Sequence, residues 1–306
     1  MSWKAVTSFF IFLILAGLFL FYFLPLGDIV EFSISSQRSN NFTLEGSVGN
    51  SSMQFYENMR YPEKDISYKI TDCPVAKLDE MRRAFDIIEA ATILNFYEND
   101  FDEMITVTCD SSIRTTGRAF IAGEGGVNNV TSSGEFNVIA KGQVLLLRES
   151  KCADPIVGTH ELFHALGFDH SENPNNIMYS TVKCSQEISQ DMINHINWLY
   201  SFPKVPDLLV ENASASMQGK YLSLSVTIKN HGLTDSHPSK MAIYADGKQI
   251  KDFDVESISV GGGKIITLTN ILVAQLSVDE IDVRLQSDYE EMNKDNNIVV
   301  LKIKNS

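Results

Sequence analysis

The chain has 306 residues, with 39 acidic against 25 basic side chains and a formal net charge of −14. No basic stripe offsets phosphate repulsion, which excludes nucleic acid as a partner; the charge speaks for solubility and a mild bias towards basic substrates. The length has room for two modest domains and an extra segment.

Residues Ala5 to Leu26 form an uncharged run rich in Phe, Leu and Ile, long enough to cross a bilayer as a helix. Trp3 and Tyr22 sit near its ends, Lys4 precedes it, and Asp28 and Glu31 follow. The expectation is a signal anchor over 1–26, with a cytoplasmic N-terminus and an exterior remainder in the cell membrane. A cleaved signal peptide competes, but Phe23-Leu24-Pro25-Leu26-Gly27 offers no small-x-small cleavage site. Residues 27–60, rich in Ser, Asn and Gly, read as a flexible stalk. Sequons at Asn41, Asn50, Asn129 and Asn212 predict glycosylation on surface loops of an exported protein.

From Ile66 the pattern becomes regular. Ile66–Ile70 alternates like a strand, and Leu78, Met81, Phe85, Ile88 and Ala91 recur at helical spacing on a segment running to about Phe96. Met104–Cys109 predicts a second strand and hence a parallel βαβ unit. Arg118–Ala122, Phe136–Ala140 and Val144–Leu147 suggest three more strands, and Gly123–Gly134 reads as a solvent loop.

The segment His160-Glu161-Leu162-Phe163-His164-Ala165-Leu166-Gly167-Phe168-Asp169-His170 carries the chemistry. Histidines four apart stack on one helical face and can present two imidazoles to one metal. Glu161, one step round the turn, cannot be a third ligand in that plane but can reach a metal-bound water. Gly167 allows the left-handed residue that ends a helix and turns the chain back, bringing His170 to the same ion. Three neutral imidazoles and one open position are the donor set of a catalytic zinc. The plain alternative is an amphipathic core helix with satisfied histidines.

This pattern, followed by Asn176-Ile177-Met178-Tyr179, resembles the metzincin zinc peptidases and among them the matrixins. The resemblance implies zinc on His160, His164 and His170, Glu161 as catalytic base, and Met178 in a Met-turn beneath the metal. Some metzincins place a metal-binding Tyr two residues after that Met; here the position is Ser180, so Tyr179 is not nominated. Matrixin domains also close with a Ser-x-Asp helix, matched by Ser189-Gln190-Asp191 and a run to Leu199-Tyr200, with Ser189 as the expected N-cap. In the family an edge strand before the active-site helix pairs with the substrate backbone, and Phe136–Ala140 is the expected counterpart. No matrixin-like propeptide fits before the domain, and Cys73 lacks the surroundings of a cysteine switch. The expected zinc peptidase domain spans 61–202.

Four cysteines, an even number in an exported segment, favour two disulfides. Cys73 and Cys109 follow two parallel strands at the same end and could meet; Cys152 and Cys184 bracket the histidine segment and could clamp it.

Pro203 and Pro206 mark a linker. Residues 207–306 lack cysteine and alternate in short runs: Leu222–Ile228, Met241–Ala245, Lys264–Leu268, Ile281–Leu285 and Ile298–Ile303, with Asp246-Gly247 as a tight hairpin. An all-β immunoglobulin-like sandwich is expected, similar to the CARDB modules of prokaryotic surface proteins. Within the run 290–297 acidic and amide side chains can hold calcium, though a solvated turn is the commoner use of such a run. The fold class expected is therefore α+β: a mixed twisted sheet with three helices, the sandwich, and the N-terminal transmembrane helix. The function expected is zinc-dependent endopeptidase action on protein or peptide substrates. A surface adhesion protein with a structural zinc, or a hydrolase of non-peptide amides, are the other classes; the carboxylate of Glu161 argues against a purely structural site.

Overall fold

The computed structural model describes residues 3–22, 24–25, 27–37, 53–116, 119–275 and 277–304. The sequons at Asn41 and Asn50, and Arg118 of an expected strand, lie outside them. Helix α1, Trp3–Tyr22, is 20 residues long and leaves Phe9, Phe10, Leu15 and Leu18 exposed. Among the described residues no helix is long and apolar enough to cross a membrane, so the expected transmembrane segment is not supported.

The stalk expectation fails where the chain continues. Strand β1, Ile29–Gln37, is built into the C-terminal domain, and the short strand β2, Met59–Arg60, into the peptidase-like one. Neither assignment could be read locally: β1 buries Phe32 through partners some 180 to 270 residues away along the chain, such as Ala215 and Ile303.

The first domain follows the βαβ expectation. Strand β3 (Asp65–Thr71) leads into α2 (Val75–Ala91), which buries Met81, Ala84, Phe85 and Ile88. The helix stops at Ala91, five residues before the expected end; the Thr92 hydroxyl donates to Ile88 O at 2.8 Å, and the chain turns into strand β4, Asn95–Glu98. Strand β5, Ile105–Cys109, completes the unit, and β3 lies parallel to both β4 and β5. A small ladder, β6 (Thr115–Thr116) with β7 (Ala119–Phe120), stands apart from the main sheet.

Two corrections concern the next stretch. Gly123–Gly134, expected as a solvent loop, forms strand β8, Gly123–Ser133. The two strands expected at 136–140 and 144–147 are one continuous strand, β9, Phe136–Leu146. Strand β9 pairs along one side with β2 and β5 in parallel and along the other with β8 antiparallel. It is therefore interior, and β8 is the edge, so the expectation of an edge strand at Phe136–Ala140 fails. Helices α3, Ile156–Ala165, and α4, Gln190–Leu199, complete the domain. Ser189 stands at the N-cap of α4, but its hydroxyl accepts the Asn176 amide at 2.9 Å instead of capping the helix. Arg60 is buried against the far end of α4 and satisfies the carbonyls of Leu199, Phe202, Pro62 and Tyr61. Cations belong at such carbonyl-rich helix ends.

Disulfides join Cys73 to Cys109 and Cys152 to Cys184, the pairing that strand order and sequence position suggested.

The second domain comprises β10 (Leu208–Gln218), β11 (Tyr221–Asn230), β12 (Ser239–Ala245), β13 (Lys248–Val255), β14 (Gly263–Leu272), β15 (Glu280–Gln286) and β16 (Ile298–Ile303). Strand β11 buries every second residue, Leu222, Leu224, Val226 and Ile228, as its alternation predicts. Asp246 and Gly247 both take positive φ, 46° and 78°, at the predicted hairpin. The ladder order is β13-β12-β15-β16-β1-β10-β11-β14, one curled sheet where a two-sheet sandwich was expected. Strand β1 is the reason, because it pairs with both β16 and β10 and joins what would otherwise be two half-sheets. The sequons at Asn129 and Asn212 are exposed but lie on β8 and β10, not on loops.

The domains meet through an apolar cluster of Phe136, Val138 and Leu233, flanked by Phe202, Val260 and Met292. The Ser133 hydroxyl donates to Gly232 O at 2.7 Å across this junction.

Candidate metal centre

Helix α3 is buried along its whole length, so its polar residues must find partners inside the protein. Glu80 of α2 anchors its start, accepting the backbone N–H of Gly158 at 3.1 Å and of Ser150 at 2.7 Å. A carboxylate is favoured at a helix N-terminus, where unpaired N–H groups point outward. At the other end Gly167 takes φ +94° and Phe168 N–H reaches back to Phe163 O at 3.0 Å. The Phe163 and Phe168 rings then meet edge-on at 5.4 Å, the apolar contact that accompanies this stop signal. A side chain at 167 would suffer twice, from the left-handed backbone and from Met59 Cβ at 2.8 Å.

The turn delivers the third histidine. Nε2 of His164 lies 3.1 Å from Nε2 of His160 and 3.3 Å from Nε2 of His170. On two of the rings the other nitrogen is committed: His160 Nδ1–H donates to Ile177 O at 2.6 Å and His164 Nδ1–H to Phe168 O at 2.8 Å. With Nδ1 protonated, each Nε2 presents a bare lone pair, and bare lone pairs this close repel unless a cation lies between them. Tetrahedral zinc with Zn–N near 2.0–2.1 Å sets its ligand nitrogens about 3.3–3.4 Å apart, so the donor set fits zinc. Burial lowers the His160 pKa to about 4 and lowers that of His164 as well, which keeps both rings neutral and able to ligate.

Met178 is buried in the turn after His170. Its N–H is held by Asn176 Oδ1 at 2.7 Å and its carbonyl by Ser171 N–H at 2.8 Å, one residue past His170. The Met-turn thus touches the site twice, through Ile177 O on His160 and through Ser171. The disulfide Cys152–Cys184 closes a loop around the whole segment.

Glu161 points away from the helix core towards β8. Its buried carboxylate accepts the Gly125 N–H, and burial pushes its pKa up to about 8 against that hydrogen bond. A Cβ at Gly123 would come within 2.6 Å of Glu161 Cγ, and one at Gly125 within 2.1 Å of Glu161 O. Glycine at both positions lets the edge strand pass against the helix at Glu161.

The three histidines converge and both cysteine pairs are joined as expected, while Glu161 lies against β8 and Met178 is buried in the turn after His170. Sequence reasoning missed Gly123, Gly125, Glu80 and Phe55, whose ring stacks on His164 with centroids 5.7 Å apart. The period-two spacing of Gly123 and Gly125 was the available signal for a strand; nothing local marked the other two. A cleft of about 360 Å³, lined by Met53, His170, Asn173 and Met178 among others, adjoins the third ligand.

The fold and site define a class: three converging histidines that could hold a metal ion, with a buried carboxylate against the edge strand β8. Residues 60–201 match the family model for Matrixin, and residues 205–301 match the model for CARDB. These matches support a zinc metallopeptidase of the metzincin type joined to a CARDB domain. One similar solved structure is the CARDB domain of a Pyrococcus furiosus protein in complex with di-metal ions. It is 20% identical over 32% of this chain and 87% of that one, with a TM-score of 0.27. No curated protein matches.

Proposed function

We propose that the protein is an exterior-facing zinc endopeptidase that hydrolyses peptide bonds in protein substrates, with Glu161 as its general base. The observation that carries this reading is the convergence of three lone-pair nitrogens beside a buried carboxylate on the edge of the sheet. Zinc held by His160, His164 and His170 would lower the pKa of a water and polarise the scissile carbonyl. A dication there also offsets the burial of Glu161 and favours its ionised form. Glu161 then accepts the proton of the attacking water and delivers it to the departing amine nitrogen. Among the described residues β8 pairs only with β9, so its outer N–H and C=O groups, apart from the Gly125 N–H held by Glu161, can pair with an extended peptide. The hydrogen bond from Gly125 to Glu161 supports this reading, since it holds the proposed base against the strand on which a substrate would align.

Incubating the purified full chain with a peptide library tests this. Cleavage that a chelator stops and zinc restores is expected; a folded, zinc-loaded protein that leaves every peptide intact sinks the proposal. An exterior location draws support from the two disulfides, which persist in oxidising compartments. Attachment to the membrane through α1 rests on the apolar run of the sequence and the exposed Phe and Leu side chains of that helix. Release of the chain by alkaline carbonate would refute attachment.

A further inference from the structure

The second domain holds a polar cluster that the peptidase reading does not use. Asp207 is the first residue after the Pro203–Pro206 linker, and Glu291 lies on the turn before β16. Both are buried, 5% and 8% exposed, and among the described residues neither carboxylate has an ion-pair partner. Asn296 and Asn297 of the short 3₁₀ turn Asp295–Asn297 pack against them, 7% and 4% exposed. Glu291 accepts the Leu208 N–H at 2.8 Å, the Ser287 hydroxyl, and Asn297 Nδ2 at 3.2 Å. Asp207 accepts the Asn293 N–H at 3.2 Å, and Asn296 Nδ2 lies 3.2 and 3.3 Å from its two oxygens.

The cluster has a surplus of acceptors. Two buried carboxylates pack against two buried amides through the amide nitrogens, and the amide oxygens Asn296 Oδ1 and Asn297 Oδ1 make no hydrogen bond. Buried polar atoms are rarely left so, and buried charges are paired or bind a metal. The amide-to-carboxylate contacts are long for hydrogen bonds to an ionised acceptor, which run near 2.7–2.9 Å. They do match the spacing of about 3–3.5 Å between oxygens that share a cation at 2.3–2.6 Å, and a half-turn of either amide brings its oxygen to that position.

We propose that Asp207, Glu291, Asn296 and Asn297 form a second metal site, for calcium, in the C-terminal domain. The donors are all oxygen, from carboxylates and neutral carbonyls, the hard set that calcium takes in flexible geometry and that zinc does not select. The ion would fasten the 287–297 turn to the start of β10. That turn also carries Met292, whose N–H donates to Pro206 O at 3.0 Å and whose side chain joins the apolar junction between the domains. Calcium would thus order the joint as well as the turn. Burial, with Glu291 adding to it, pushes the Asp207 carboxyl up to about 6 against its amide donors, which a bound dication would reverse.

The alternative is a latch of hydrogen bonds indifferent to metal. The full chain carrying Glu161→Gln, to prevent self-cleavage, is stripped with chelator, reloaded with zinc and titrated with calcium chloride by calorimetry. The isosteric pair Asp207→Asn and Glu291→Gln, added to that chain, is expected to lose one calcium per chain or to weaken it at least tenfold. Unchanged stoichiometry and affinity, or no calcium binding by the parent, overturns the site. Hydrogen exchange on the parent decides the matter should the double variant misfold: calcium is expected to slow exchange over 287–297, and identical exchange with and without it refutes the proposal.

Discussion

The histidine centre and the Asp207 cluster are opposite ways of building a polar site. The first takes its imidazoles from eleven consecutive residues and needs only a helix and a left-handed turn to converge. The second draws on residues 207 and 291–297, which meet because β10 and the turn before β16 belong to one curled sheet. The nitrogen donors of the first are fixed by carbonyls on their far side, whereas the oxygens of the second are in excess of their donors. A site written in local spacing resists rearrangement elsewhere; one assembled by topology depends on every element that brings it together.

The largest effect that would break this contrast lies at the first site. Glu161→Gln is expected to cut turnover a hundredfold or more while zinc content by elemental analysis stays at one per chain. His164→Ala is expected to lose the zinc itself; if activity survives that loss, the centre is not catalytic. Opening the Cys152–Cys184 clamp with paired alanines should lower the stability of the peptidase domain by about 3–4 kcal/mol, read from denaturant midpoints. No change would mean that packing alone holds the segment. Gly125→Val sharpens the link between edge strand and base. Its Cβ would collide with the Glu161 backbone oxygen, and a loss of about 1–3 kcal/mol with a fall in kcat/KM at unchanged zinc content is expected.

The smallest effect belongs to Asp207. Its folded pKa is raised to about 6, so the uncharged form is favoured by folding. Its contribution to stability is therefore full below about pH 4, the ordinary carboxylate range, and is lost as pH rises through about 6. In chelator the thermal unfolding of the second domain should weaken over that window, and Asp207→Asn should flatten the dependence. Calcium in excess should remove it. A stability that instead rises across the window would show that the Asp207 charge is already compensated within the domain.

Some readings succeeded because the signal was a fixed spacing. The helical recurrence of Met81, Phe85 and Ile88, the alternation of Leu222 to Ile228, and the Asp246-Gly247 turn each depend on neighbours a few residues away. Others failed where side chains carry no signal. Strand β8 looked like a loop because glycine and asparagine fill it, and its conformation is set by pairing with β9 and by the need to pass close to Glu161. The stalk hid β1 for a related reason: a strand that completes a remote sheet has only Phe32 as a buried residue to show for it.

What the sequence by itself determined is the histidine cluster: His160, His164, Gly167 and His170 specify three imidazoles and the turn that brings them together, with Glu161 next to the first, since a helix places residues four apart on one face whatever surrounds it. The tertiary structure alone decided which strand is the free edge, where the residues before the peptidase domain go, and which distant acids and amides share a buried space. Those outcomes follow from strand pairing and burial, which are interactions between segments far apart along the chain, and no local window contains both partners.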